Sequence, residues 1–169
     1  MNKNINFPYK LIKTVIIMLL SFTAISCNNQ ETKEKEAQVV IPDYFLLYPK
    51  LETTYGYSQA VRIGNVIKIS GVVSIDDAGS TTAKNDFLQQ MKNCYLDLDK
   101  VLKHYGCTFE DVVVENLCTT NMNELHKNAS YRHEIYKKHF PTGTWISVKE
   151  LGLPEMMVEI EVEAYISKK

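Results

Sequence analysis

The chain has 169 residues, 19 Lys and Arg against 20 Asp and Glu, a formal net charge of −1, and 45% hydrophobic residues. No Lys/Arg cluster appears beyond Lys137-Lys138 and Lys168-Lys169, which argues against a partner gripped through a phosphate backbone. Length and composition fit one domain with a single core.

From Met1 to Lys13 the sequence carries Lys3, Lys10 and Lys13 and no acid, and Thr14 to Ser26 is then a short apolar run ending at Cys27. A basic start, a brief apolar stretch and small residues before a cut describe an export signal over residues 1–26. The run is too short for the ~20 residues that span a bilayer. Thr23-Ala24-Ile25-Ser26-Cys27 resembles a bacterial lipoprotein cleavage box, with Ala24 where leucine is usual, and implies lipidation at Cys27. Several acyl chains on one cysteine anchor a protein stably to a membrane where a single chain is marginal. Residues 27–40 begin with a polar, charged stretch that suits a tether, and residues 41–169 make the domain. Cleavage before Cys27 would leave 16 basic and 20 acidic residues, a net of about −4.

Within the domain, Tyr57 to Ile63 alternates as a strand, Gly64-Asn65 is a tight-turn pair, and Val66 to Val73 alternates again. Phe87, Met91, Cys94, Leu98, Val101, Leu102 and Tyr105 recur in steps of four and three. They predict an amphipathic helix over 83–105, with Thr82 as N-cap and Gly106 as the stop. Asp111 to Thr120 reads as a buried strand. A second helix is predicted to start near Asn121–Asn123 and to stop before Pro141, with Met122, Leu125, Ala129, Arg132 and Ile135 on one stripe. Two strand patterns then face each other across the Gly/Pro loop 150–155. In the first, Gly143, Trp145, Ser147 and Lys149 share a face, and Thr144, Ile146 and Val148 share the other. In the second, Val158, Ile160, Val162 and Ala164 alternate with Glu159, Glu161 and Glu163. A carboxylate row beside a glycine and the only tryptophan is a candidate site wall, although on pattern alone Glu159, Glu161 and Glu163 read first as a sheet face left to water.

The order β-β-α-β-α-β-β is α+β, most economically a sheet with both helices on one face. Something must cover the other face, and a second subunit is the simplest candidate. Cys94, Cys107 and Cys118 show no Cys/His metal spacing, and the four histidines no i, i+4 pair. No metal is expected, and Cys94 and Cys118 are expected as buried thiols on apolar faces.

Three stretches carry a family resemblance: G-Y-S-Q-A-V-R-I-G-N-V-I-K-I-S-G (Gly56 to Gly71), H-F-P-T-G-T (His139 to Thr144) and V-E-I-E-V-E-A (Val158 to Ala164). Together they resemble the Rid family, also called YjgF, over about Tyr55 to Ile166. The resemblance implies a chorismate-mutase-like fold, a homotrimer with three inter-subunit clefts, and no cofactor. In its deaminase branch it implies hydrolysis of reactive enamines and imines to keto acids and ammonia. Tyr57, Ser70 and the carboxylate at Glu159 match the family's catalytic positions, with Glu161 the alternative for that carboxylate, and Gly71 matches beside them. Positions 143–145 complete the ligand-binding set as Gly143, Thr144 and Trp145. That branch grips the substrate carboxylate with an arginine after F-P-x, and here the position is Gly143. Its helix asparagine falls on Ala129, with Asn128 adjacent. Loss of such a bidentate pair costs at least about 2–3 kcal/mol of binding, and Lys149 or Arg62 would replace it only in part. The expected function is therefore a lipid-anchored trimer binding a neutral or aromatic small molecule. The alternatives are a deaminase with altered preference, or the ribonuclease activity attached to some members, which the acidic balance disfavours.

Overall fold

The structure, a computed structural model, describes residues 39–167. The expected export signal, Cys27 and most of the expected tether lie outside the described residues. One six-stranded mixed sheet, in the order β1-β2-β3-β6-β4-β5, carries the helices on one face. The strands are β1 (Asp43–Phe45), β2 (Ala60–Ile63), β3 (Val66–Val73), β4 (Val112–Thr119), β5 (Trp145–Ser147) and β6 (Val158–Tyr165). All neighbours run antiparallel except β4 and β5. The helices are α1 (Pro49–Tyr55), α2 (Phe87–His104), α3 (Met122–Asn128) and the one-turn α4 (Arg132–Ile135).

Every apolar residue that predicts the long helix is buried against the sheet, from Phe87 through Met91, Leu98 and Leu102 to Tyr105. The helix starts later than its apolar spacing suggests. Ala83 and Asn85 hold positive φ (50° and 63°), a left-handed turn that no helix tolerates, so Asp86 caps α2 by accepting from Gln89 N–H at 3.0 Å. Thr82 instead shares a 2.7 Å hydrogen bond with Ser74. Gly106, at φ 71°, ends the helix as expected.

Three further expectations are revised. The second helix stops at Ile135 because Tyr136 turns extended, sending its hydroxyl to buried Glu115 at 2.8 Å. Its 122–135 span is also broken by a 3₁₀ turn at Ala129–Tyr131. The last two strands are not partners: β6 pairs with β3 on one edge and β4 on the other, so β5 can only take the far edge of β4. Residues 41–55, which carry no periodic signal, form β1 and α1. Pro49 starts that helix and Gly56, at φ 74°, closes it.

Candidate active site

The face of β6 opposite the helices carries the carboxylate row. Val158, Ile160, Val162 and Ala164 are fully or almost fully buried beneath it. Along the row, Glu163 pairs with Lys68 Nζ at 2.6 Å and Glu161 accepts from Asn116 Nδ2 at 2.7 Å. Glu159 has neither kind of partner among the described residues, and its position is set by a break in the neighbouring strand. Between Ile69 and Val72 the β3–β6 register slips, a bulge at Ser70-Gly71. A methyl group on Gly71 would lie 1.8 Å from Glu159 Oε1. The glycine thus leaves the space in which the Glu159 carboxylate lies against the strand. An isolated Ser-Gly inside an alternating strand is the sequence signal for such a bulge.

Glu159, Gly71, Ser70 and Tyr57 line one cleft of about 470 Å³, walled further by Leu51 and Tyr55 of α1, Val73 and Ile75, and the loop residues Leu153 and Met156. The structure therefore brings the three expected catalytic residues together. Burial raises the Glu159 carboxyl above the usual glutamate range, and neighbouring Glu161 adds to the effect. Burial likewise raises the Tyr57 hydroxyl, reinforced by the charges of Glu52 and Glu159. Ser70 donates its hydroxyl proton to Ser58 C=O at 3.0 Å while its N–H binds Gln59 C=O at 2.8 Å. It supports the hairpin and offers the cleft an acceptor.

The raised Glu159 value has a thermodynamic consequence. A carboxyl that ionises less readily when folded supports stability fully below its ordinary value of ~4.3, and loses that support as pH rises through the higher folded value. Glu159→Gln is expected to flatten the stability-against-pH curve above about pH 4 and to melt higher than the parent at neutral pH. Thermal melts across pH check this.

Gly143, Thr144 and Trp145 lie elsewhere, beside β4. Thr144 N–H binds Asn116 Oδ1 at 3.0 Å, and Thr142 and Thr144 carbonyls accept from Glu115 and Leu117 N–H at 2.8 and 2.9 Å. Trp145 is in register with buried Leu117, so its ring falls on the helix side, 5.6 Å from the ring of His126 and 5.6 Å from the Arg132 guanidinium. The expectation that it stands beside the carboxylate row is overturned. The parallel register gives that face to Ile146 and Cys118, the latter level with Glu159. Cys118 is accordingly half-buried on the carboxylate face, unlike Cys94 and Cys107 in the core. Burial, with Glu159 and Glu161, holds its thiol protonated.

Neither substitute cation reaches the cleft. Arg62 Nε donates to Gly64 C=O at 2.9 Å, and Lys149 is exposed beyond β5. Among the cleft's described lining, Glu159 is the one charged side chain. Asn128 hydrogen-bonds the Glu124 carbonyl within α3. Among the described residues no group of three His, Cys, Asp or Glu side chains is arranged to hold a metal ion.

Residues 49–166 match the family model described as endoribonuclease L-PSP. The chain belongs to the Rid (YjgF) family. It is 30% identical over 120 residues to the RutC family protein YjgH of Escherichia coli, spanning 70% of this chain and 89% of that one. It is 32% identical over 84 residues to a mouse 2-iminobutanoate/2-iminopropanoate deaminase, spanning 50% of this chain and 59% of that enzyme. Among solved structures it resembles a conserved Rid-family protein from Yersinia pestis described as of unknown function. The TM-score there is 0.60 with 28% identity, over 65% of this chain and 87% of the other. As a Rid protein it shares the α+β fold of its neighbours, and some of its homologues are named as imine deaminases.

Proposed function

We propose that this Rid protein binds a neutral or aromatic small molecule in the cleft over Glu159 and does not act on the small amino-acid imines of the deaminase branch. The observation that carries the proposal is the lining. Leu51, Tyr55, Tyr57, Val73, Ile75, Leu153 and Met156 supply apolar surface, and no Lys or Arg stands among them to meet a substrate carboxylate. A carboxylate ligand placed there would meet Glu159, a repulsion instead of a fork. Incubating the protein with freshly generated 2-aminoacrylate is expected to release no ammonia above the uncatalysed rate, and robust release would overturn the proposal.

The second reading is a hydrolytic deaminase of altered preference, in which Glu159 positions the attacking water as general acid/base. Its support is the raised carboxyl standing over Gly71 with Tyr57 close by. This reading predicts that Glu159→Gln abolishes whatever turnover a substrate screen detects. Ribonuclease action is the weakest reading, because the site offers RNA a carboxylate and no cation.

Three copies, packed through the sheet face opposite the helices, would cover the exposed Ile63, Ile146 and Tyr165 and place clefts between subunits. The residues before the domain support export and anchoring through Cys27. Cys27→Ser is expected to move the protein from the membrane to the soluble fraction of lysed cells, and an unchanged distribution would remove the anchor.

A further inference from the structure

The cleft over Glu159 is rich in acceptors and poor in donors. Neither Glu159 oxygen has a hydrogen-bond partner among the described residues, where Glu52 Oε2 is the one buried side-chain oxygen or nitrogen left unpartnered. Both oxygens of half-buried Glu159 are therefore open to solvent. Ser70 has committed both its donors, the hydroxyl to Ser58 C=O and the amide to Gln59 C=O, and its carbonyl accepts from Gln59 Nε2 at 2.9 Å. Among the described lining side chains that leaves the hydroxyls of Tyr55 and Tyr57 as uncommitted donors, and each can equally accept.

An ionised carboxylate only accepts, through two oxygens side by side in one plane. A ligand that satisfies both presents two parallel N–H groups in one plane, as a guanidinium does when it forks onto a carboxylate. An amidinium edge has that geometry. The walls indicate the rest of the ligand. Tyr55 and Tyr57 are 69% and 39% exposed, and with Leu51, Leu153 and Met156 they offer aromatic and apolar surface to a flat ring and to its positive charge. The volume suits a small molecule. Leu51 and Tyr55 stand on α1, and Leu153 and Met156 on the loop before β6. None of these walls is part of the sheet, so copies packed on its open face leave the cleft as a gap between subunits.

We propose that the cleft over Glu159 selects aromatic ligands that carry an amidinium edge, its two N–H groups forked onto the Glu159 carboxylate and its ring against Tyr55 and Tyr57. This rests on the reading of the cleft as a small-molecule site and names the chemistry of its guest. The test is calorimetric titration of the full-length protein, at constant ionic strength, with three probes of one shape: benzamidine, benzamide and benzoate. Benzamidine is expected to bind saturably, about tenfold or more tighter than neutral benzamide, the worth of one charge-assisted hydrogen bond, and benzoate not at all. The benzamidine affinity is expected to rise with pH between about pH 4 and pH 8, since the probe stays charged while Glu159 ionises, and that of benzamide to stay flat. The other titratable groups around Glu159 are Glu161 on its own strand, Tyr57, and the thiols Cys94 of α2 and Cys118 of β4, and burial keeps the last three protonated. Glu159→Gln is expected to remove both the preference and the pH rise, which assigns them to this carboxyl and not to Glu161, and melts establish that the variant folds. Should it not fold, the contrast between the two pH profiles decides. Equal affinity for benzamidine and benzamide, or a flat benzamidine profile, would overturn this inference and leave the small-molecule site standing. No saturable binding of any probe up to about 10 mM, or benzoate binding tightest, would overturn both.

Discussion

Gly143→Arg is expected to destabilise the protein by about 3 kcal/mol and to bring no imine-hydrolase activity with it. On resemblance alone this substitution restores the arginine of the deaminase branch. In the structure, any side chain at 143 meets the backbone of the next strand, since an added Cβ would lie 1.8 Å from the Glu115 carbonyl oxygen and 2.9 Å from its carbon. A backbone oxygen in a central strand cannot swing aside as a side-chain tip would. Relief requires the 142–144 segment to leave β4, giving up the hydrogen bonds from Glu115 N–H to Thr142, Leu117 N–H to Thr144 and Thr142 N–H to Val113. At about 1 kcal/mol net for each such bond, three of them set the size of the loss. Denaturant unfolding of Gly143→Arg and Gly143→Ala separates the overlap from the charge, for both should lose stability to a similar extent. An arginine variant of undiminished stability that released ammonia from 2-aminoacrylate would contradict this account. Glycine at 143 is thus tied to the close approach of its backbone to that of Glu115.

Arg132→Met is expected to cost about 3–5 kcal/mol of stability. Glu115, 0% exposed in the middle of β4, is held by Arg132 through Nε at 2.6 Å and a terminal nitrogen at 2.5 Å, a two-pronged grip on Oε2. Its other oxygen accepts from the Tyr95 and Tyr136 hydroxyls at 2.7 and 2.8 Å. Burial and the Glu115 charge push both hydroxyls far above the ordinary tyrosine range, so they remain donors at any physiological pH. With the arginine gone, a buried carboxylate keeps two neutral donors and no countercharge. Arg132→Lys should recover part of the loss, because a point charge replaces a planar fork. Replacing Glu115 and Arg132 together by apolar residues should cost far less than either change alone, the mark of a coupled buried pair. Urea unfolding of the four proteins gives that cycle directly. The guanidinium also faces Tyr136, Phe140 and Trp145 at 5.6, 5.4 and 5.6 Å. Losing it should therefore loosen the segment that leads into β5.

What the sequence by itself determined was the identity of the faces. Periodicities of two and of three to four assigned Ile160 and Val162 to the core, Glu159 and Glu161 to the opposite side, and Leu98 and Leu102 to the sheet-facing stripe of α2. Those assignments need only local backbone geometry, which residue spacing carries. The short motifs around Tyr57, Ser70-Gly71 and Glu159 placed the chain in its family for the same reason, since each lies within one strand or one turn. The tertiary structure alone decided which strands are neighbours. Val158 to Tyr165 has a good face whether it pairs with β5 or lies between β3 and β4, and only long-range register put Trp145 on the helix side and Cys118 beside Glu159. It also decided the fate of acids that pattern reading passes over. Glu115 looks like a solvent-side interruption in V-V-V-E-N-L, and Glu52 stands in a stretch without period, yet both are wholly buried. Their partners, Arg132 with Tyr95 and Tyr136 for one, the Leu47 and Tyr48 amides for the other, come together only once the chain has closed around them.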